Sequence, residues 1–599
     1  MKYSYSYKQL IFLFCLILFF FRFLMDPIHI LSWDVFGYYL YLPAYFIHSD
    51  IGLVNLEWLT HLMDTYEPSS TWYQLVEIEN GNKAIKYTMG LSILYAPFFF
   101  FADLLAESLG YPADGLSLPY QYSVTIGGLI YAIIGLIYFS KVLLHFFNQH
   151  IAGIVLVIVF FGTNYFHLTI NDGTLLSHNF LFTLYAVLTY YTIQWYSTKK
   201  IRDAIIIGVI VGFATLIRPT EILCVLIPLL WSGHQGSYFS GKLSLLKTYF
   251  PQVLVTIFCA VLVFTPQMFY WKHVTGKWLF YSYSNAGEGL DLHSPHIIDF
   301  LLSFRKGWLI YTPIMLFSLI GFYFLHKKNK PLFFLLSLLL VLDIYISSSW
   351  TTWWYAGGSF SSRTIVPKYV LLAIPLGFFI ESIKTIKVKA VLGVLGVFFI
   401  TLNLFQSWQF KNGILSRERM TMEYYFRIFG QTKVNEKDKK LLLVERSTET
   451  FMEFNNEDDY RSEILYQNSF DTEQNEDKVL VLDEKKRFSP GIDIKFKDLT
   501  NFDHAWIKGG VKIFIPDQYD GELPLFVATF HHKNKTYKYR SFVIKKDDIK
   551  LNDWNEIVFF YLTPEVRSEE DNLKIYLWHR GKQKIMIDDL RIHVYEPRI

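Results

Sequence analysis

"MGLSILYAPFFFFADLLAE" occupies residues 89–107, and whether it crosses a membrane decides how the whole chain is threaded. Of the 599 residues, 52% are hydrophobic, and mean hydropathy is +0.25. Other apolar runs fall at 9–25, 120–142, 150–169, 176–196, 202–217, 219–232, 250–271, 308–325, 331–349, 366–382 and 388–407. Several reach the roughly 18 to 20 residues that a bilayer crossing needs, so the chain reads as a polytopic α-helical membrane protein. If 89–107 does not cross, Lys141, Lys199, Lys200, Arg202, Lys242, Lys247, Lys327, Lys328, Lys330, Lys384, Lys387 and Lys389 share a side with Lys2 and Lys8. If it crosses, most of that set moves outside, against the excess of Lys and Arg in cytoplasmic loops. Charge therefore predicts a re-entrant or interfacial helix at 89–107, broken near Pro97, and eleven spans. The N-terminus is then cytoplasmic, and the C-terminus lies outside the cytoplasmic (inner) membrane. Lys2 and Lys8 precede the first run without a small-x-small cleavage site, which predicts an uncleaved signal anchor.

This threading gives a membrane domain over 1–408, with a long first outer loop at 26–88. Shorter outer segments follow at 170–175, 272–307 and 350–365, with a sharp turn at Arg218-Pro219. Residues 409–475 form a charged connecting segment, helical or irregular. Over 476–599 the pattern alternates with period two in stretches such as "GIDIKF", "WIKGGVKIFIP" and "LKIYLWHR". Such strands, separated by Gly, Asn, Asp and Pro, predict an antiparallel β-sandwich of jelly-roll type. Cys15, Cys224 and Cys259 all lie in apolar runs, so no disulfide framework is present in the loops or tail. A net charge of +3 is too small to argue for a nucleic-acid partner.

The first outer loop opens with "SWDVFGYYLYLPAYF" (32–46). At helical spacing Asp34, Gly37, Tyr38, Tyr41 and Tyr45 share one face, and Val35, Tyr39, Leu42 and Phe46 the other. An N-cap at Ser32 or Asp34 beneath an interfacial aromatic belt is one account of the segment. A carboxylate held at the bilayer surface to take a proton from a hydroxyl is the other. Three cations share its side: Lys86 in "NKAIKYTMG", Arg218 in "GFATLIRPTEI" and Arg363 in "WWYAGGSFSSRTIVP". Each alone fits snorkelling to the head groups, as Arg22 does near the end of the first run. Three beside one acid point to a site. A sugar carried on a lipid phosphate suits that pairing, because the phosphate gains negative charge as the sugar leaves. Fixed Arg and Lys groups stabilise that charge, while Asp34 activates the acceptor hydroxyl.

In "NDGTLLSHNF", Asn171, Asp172, His178 and Asn179 are placed either to bind sugar hydroxyls or the acceptor, or to cap a helix start. "DLHSPH" gives Asp291, His293 and His296 a spacing suited to a divalent cation, although a flexible polar loop is the favoured reading. Trp350, Trp353, Trp354 and Tyr355 serve either as sugar-stacking rings or as an interfacial belt.

Over 1–407 the arrangement resembles the GT-C superfamily of polyprenyl-phosphate-sugar-dependent glycosyltransferases, which includes protein mannosyltransferases and lipid A aminoarabinose transferases. The resemblance rests on Asp34 at the head of the first outer loop and on "KYTMGLSILYAPFFFFADLLAESLG" (86–110), in the place of a Lys-containing segment before an interfacial helix. "RPT" after a small-residue span and "WWYAGGSFSSR" before a late span add to it. Asp34 is followed by Val35 where the family often has adjacent acids, and Lys86-Tyr87-Thr88 stands where Lys-Pro-Pro is common. The resemblance implies an inverting transferase that moves a sugar from a polyprenyl-phosphate donor to an extracytoplasmic lipid, glycan or protein. It implies Asp34 as general base, with Lys86, Tyr87, Arg218, Arg363, His178 and Asn179 contacting phosphate or substrate. No cofactor is implied, although some relatives use a divalent cation. The β domain is similar to galactose-binding-like jelly rolls and carbohydrate-binding modules, which implies either glycan binding or a structural cover. Two other classes fit the location: a transporter or flippase for lipid-linked glycans, and a polysaccharide polymerase or ligase using diphosphate-linked donors. Transporters usually carry paired repeats and polar residues at mid-membrane, and neither is evident here.

Overall fold

The computed structural model describes residues 4–24, 29–231, 238–283, 289–354, 358–444, 446, 460–471, 478–544 and 549–597. The chain divides into two compact units, Met1–Lys439 and Lys440–Ile599.

The first unit is helical, as long apolar runs must be where only the chain itself can satisfy backbone polar groups. Helix α1 (Ser4–Phe23) precedes the loop over 26–88, which folds α2 (Trp33–Tyr39), a π-helical turn Pro43–Ile47 and α3 (Glu57–Tyr66). The loop ends in an antiparallel hairpin of β1 (Leu75–Glu77) and β2 (Lys83–Ile85). Next come α4 (Gly90–Ala106), α5 (Leu118–Phe146), and α6 (Gln149–Phe161) bent by 62° into α7 (Asn164–Ile170). After α8 (Ser177–Thr198) and α9 (Ile201–Ile217), a 3-10 turn Pro219–Val225 runs into α10 (Leu226–Leu230). Helices α11 (Tyr238–Thr248), α12 (Phe250–Thr275), α13 (Ile297–Leu302), α14 (Trp308–Tyr311), α15 (Leu316–Lys328) and α16 (Lys330–Ser348) follow. A 3-10 turn Arg363–Lys368 then opens α17 (Tyr369–Ser382), before α18 (Ile386–Lys411) and α19 (Met422–Arg427).

Among the described residues six helices are long and apolar enough to cross a membrane, and the bent pair α6–α7 would make a seventh. The unit is a helical membrane domain with fewer full-length apolar spans than the eleven expected. The shortfall has physical causes. Helix α8 has the length but is diluted by Thr and Tyr. Helices α9, α15 and α10 have 17, 13 and 5 residues, short of the roughly 20 that a crossing takes. The stretch 89–107, expected to be re-entrant or interfacial and broken near Pro97, runs through the proline as α4, continuous from Gly90 to Ala106, and by length and apolarity it is itself one of the six. Helices α12 and α18 are only 11% and 6% buried within the protein, whereas the α17 stretch is 78% buried. Apolar α12 and α18 therefore offer their sides to lipid, and α17 is the central post. Arg22, read from sequence as snorkelling, is instead enclosed by protein with 3% of its surface exposed.

The second unit contains β3 (Tyr460–Asn468), β4 (Leu480–Leu482), β5 (Ile492–Lys495), β6 (Trp506–Phe514), β7 (Leu525–His532), β8 (Lys535–Val543), β9 (Trp554–Leu562), β10 (Asn572–Trp578) and β11 (Ile585–Pro597). One sheet has the order β5-β10-β7-β8; the other has β3-β11-β6-β9, with β4 also on β11. All pairings are antiparallel. Alternate residues of both sheets, such as Ile507, Val511, Phe526, Phe530, Leu573, Ile575 and Ile587, enter one apolar core, which makes the unit a two-layer sandwich. Two boundaries differ from expectation. Strand β3 lies within the segment expected to be helical or irregular; as a largely exposed edge strand with the sequence "YRSEILYQN" it does not alternate cleanly. Residues up to 439 belong to the helical unit instead, where Gln406 donates to the Tyr425 hydroxyl (2.7 Å) and Gln409 to the Ile428 carbonyl (3.0 Å).

Candidate functional site

Asp34 is held at the start of α2 by three groups from three distant stretches. Its Oδ1 accepts from the hydroxyls of Tyr73 and Tyr87, both at 2.8 Å. Its Oδ2 accepts from Nη2 of Arg363 at 3.0 Å. The carboxylate keeps 30% of its side-chain surface exposed and Arg363 keeps 15%, so the pair is partly desolvated yet reachable. Burial alone would raise the Asp34 carboxyl, but Arg363 and the two tyrosine hydroxyls outweigh it and hold the group below the ordinary carboxylate range.

Local conformation aims these groups. Trp33 adopts the left-handed region at φ 52° immediately before Asp34, and Ser361 does so at φ 60° two residues before Arg363. Bulky or unbranched non-glycine residues in that region carry strain, and strain of this kind collects at functional sites. The glycine one turn after Asp34 has a steric reason: a Cβ on Gly37 would collide with the Tyr87 ring. That ring lies against Tyr38, with centroids 4.4 Å apart, and Tyr41 donates to the Tyr87 carbonyl at 2.7 Å. Gly37, Tyr38 and Tyr41 thus form the predicted Asp34 face, whereas Tyr45 is exposed.

The three predicted cations gather around this face. Lys86 is buried, with Nζ 5.3, 5.8 and 5.1 Å from the ring centres of Tyr73, Tyr87 and Tyr283. Two rings of that cage carry the hydroxyls that bond Asp34. Arg218 follows the last residue of α9 in extended conformation, where Pro219 starts the next turn and ends the helix. A Cβ on Gly90 would lie 2.6 Å from the Ile217 backbone nitrogen, so glycine lets the Lys86–Thr88 segment dock beside Arg218. Arg218 donates to Nε2 of His178 at 3.1 Å. Because a guanidinium only donates, His178 accepts there and is neutral, with its proton on Nδ1. The charges of Arg218, Asp34 and Arg363 all reach the buried Tyr38 hydroxyl, which burial raises.

Beneath the cations lies a network that sequence reasoning missed. Lys368 Nζ pairs with Glu221 at 2.5 Å and with Asp343 at 3.4 Å. Tyr185 donates to Glu221 at 2.6 Å, and its ring centre lies 4.6 Å from Lys368 Nζ. All four are buried. Glu221 is three residues past Arg218 and Lys368 five past Arg363, so this ion pair ties together the two turns that carry those arginines. Glu221, Asp343 and Lys368 each lie in a run read as a span, and nothing local marks them. Tyr73 was equally hidden, lying in the polar stretch "STWYQLVE". Lys306, between α13 and α14, is also buried and donates to the carbonyls of Ser359 and Arg417. Burial, helped by Arg305, Arg363 and Arg417 and opposed by Glu418, pushes its ammonium down to about 7.

Other candidates stand apart. Asn179 spends its amide on the carbonyls of Gly128 (3.2 Å) and Thr174 (2.8 Å), so its amide joins α5 to α8. Asn171 bonds His167 one turn earlier. The side chain of Asp172, and Tyr355, lie outside the described residues. Trp350 packs on Tyr283 of the Lys86 cage, with centroids 5.4 Å apart. Trp354 instead lies under Arg305 at 4.1 Å, and Trp353 beside His296. Asp291 accepts from the His293 backbone at 3.1 Å, while His296 is 3.4 Å from Asp299. Among the described residues no three His, Cys, Asp or Glu side chains are grouped to hold a metal ion.

The site can thus keep a carboxylate ionised beside fixed positive charge at a partly open surface. No protein-family model matches the chain, and no curated protein matches its sequence.

Proposed function

We propose that the chain is an inverting membrane glycosyltransferase that moves one sugar from a polyprenyl-phosphate donor to an extracytoplasmic lipid, glycan or protein acceptor. The observation that carries this reading is the Asp34 carboxylate, bonded directly to Arg363 and through Tyr73 and Tyr87 to the walls of the Lys86 cage. In the step, the acceptor oxygen attacks the anomeric carbon as the bond from that carbon to the phosphate oxygen breaks. The hydroxyl proton passes to Asp34, and the lipid leaves as a phosphate monoester with one more negative charge. A depressed carboxyl makes a weak base at rest. As charge builds on the phosphate, Arg363 shares its donors with it, and Asp34 gains basicity when the proton must be taken. Arg218, held by His178, and Lys86 add charge that is fixed before the reaction begins.

The reading places the site on the outer face of the cytoplasmic membrane, which the lysine distribution favours. Its test is a mass comparison of surface glycans in cells carrying wild type, no gene, or Asp34→Asn. The expected result is the same one-sugar deficit in the null and in Asp34→Asn, with the variant protein still inserted. Normal glycans from Asp34→Asn would overturn it.

A further inference from the structure

At the other end of the membrane helices from Asp34 lies a second cationic feature, with no carboxylate partner among the described residues. The ends are defined by α12, whose 26 residues span about 39 Å at 1.5 Å per residue. Its C-terminal end touches the first outer loop: Asn80 and Asn82 donate to the Val274 carbonyl at 3.0 and 2.9 Å, and Tyr270 receives the Ile85 amide at 2.7 Å. Its N-terminal end meets the turn between α8 and α9, where Gln252 accepts from the Trp195 indole at 2.7 Å and donates to the Lys199 carbonyl at 2.9 Å.

Two lysines converge there on one ring. Lys199 Nζ is 4.7 Å and Lys242 Nζ 4.3 Å from the Tyr196 ring centre. Lys242 donates to the Tyr196 hydroxyl at 2.7 Å. Lys199, left-handed at φ 54°, donates to the Tyr196 carbonyl at 2.6 Å and lies over Trp195 at 4.8 Å and Tyr249 at 5.9 Å. Both are partly buried. Among the described residues neither has a carboxylate partner. The nearest acid in sequence, Asp203, is taken by Arg202 at 3.3 Å and Thr198 at 3.0 Å. Burial first, and then Lys199, pushes the Lys242 ammonium down to about 8.

We propose that Lys199 and Lys242, framed by Trp195, Tyr196 and Tyr249, seat the phosphodiester of an acidic phospholipid head group. Burial and the charge of Lys199 both work against the Lys242 ammonium, and an anion bound beside the two lysines offsets both costs. Aromatic rings at the end of an apolar span belong at head-group depth, so the anion available there is a lipid phosphate. The rigid Gln252 bridge holds Lys199 in place before the lipid arrives. This site is independent of the transferase reading.

The test uses the full chain purified in neutral detergent, titrated with phosphatidylglycerol or phosphatidylcholine and followed by native mass spectrometry. Wild type is expected to retain phosphatidylglycerol in preference to phosphatidylcholine. Lys199→Gln with Lys242→Gln should weaken phosphatidylglycerol roughly tenfold or more, since each lysine near a charged membrane surface counts for about a factor of five. Phosphatidylcholine retention should not change. Lys199→Arg with Lys242→Arg should keep the preference, and Lys327→Gln with Lys328→Gln, at another helix end, should leave it intact. Equal retention of both lipids by wild type overturns the proposal, as does equal loss in the Lys327/Lys328 pair. Displacement of the lipid by excess inorganic phosphate would mark the site as one for a free anion and overturn it too. A fold check by size-exclusion profile accompanies each variant, and the arginine pair decides the matter if the glutamine pair unfolds.

Discussion

Around Asp34, the hydroxyls of Tyr73 and Tyr87 and the guanidinium of Arg363 stabilise the ionised form, and this has a definite consequence for pH. A carboxyl whose folded value is depressed adds stability that is complete above its unfolded value of about 3.9 and is lost as pH falls through the folded value. The melting-temperature gap between wild type and Asp34→Asn should therefore be constant from neutral pH to about 5 and narrow as the medium becomes more acidic. Calorimetry in detergent across that range checks it; a gap that widens on acidification would mean that the carboxyl is protonated in the native protein. Asp34, Lys86, Arg218 and Arg363 were legible because charge beside apolar sequence is conspicuous. Tyr73 was not, because a tyrosine in a polar loop looks ordinary until a fold places it 39 residues away in sequence from the acid it serves.

At the scale of elements, the two turns that present Arg218 and Arg363 are short, one following α9 and the other opening α17, so they need outside support. Lys368, Glu221 and Asp343 supply it from α16 and from the turns themselves. Removing one member of a buried pair leaves an unpaired charge and costs about 3–5 kcal/mol, whereas replacing both partners costs far less. Lys368→Met should thus be strongly destabilised, and Lys368→Met with Glu221→Gln and Asp343→Asn, which removes every charge of the brace, should recover much of the loss, as read by thermal unfolding. Equal destabilisation in the single and triple variants would remove the brace from the account. The turns themselves were readable from "RPT" and "SSRTIVP"; the brace was not, because its members lie 147 and 25 residues apart in sequence and each sits alone among apolar neighbours. The helix across Pro97 is the reverse case. A proline removes one hydrogen bond and bends a helix without having to end it, and apolar surroundings that offer no water to the freed carbonyl favour continuation.

For the whole molecule, hydropathy identified a helical membrane domain and alternation identified a β-sandwich, since both patterns follow directly from burial. The number of full spans and the boundary at Lys440 did not follow. Helices shielded by other helices tolerate Thr and Tyr, and an exposed edge strand such as β3 tolerates charge, so neither keeps the pattern that a lone element would show. What joins these levels is a single arrangement: loops from four parts of the helical unit close around one ionised acid with positive charge on several sides. The most direct test is to supply the purified full chain with a polyprenyl-phosphate-linked sugar and a mixture of candidate surface acceptors, and to measure release of the lipid monophosphate. Wild type should release it with formation of a glycosylated product, and Asp34→Asn should lose roughly 10²–10⁴-fold of that rate, the usual contribution of a positioned base. Release that is unchanged in Asp34→Asn, or a wild type that moves lipid-linked sugar across vesicles without forming product, would contradict the account.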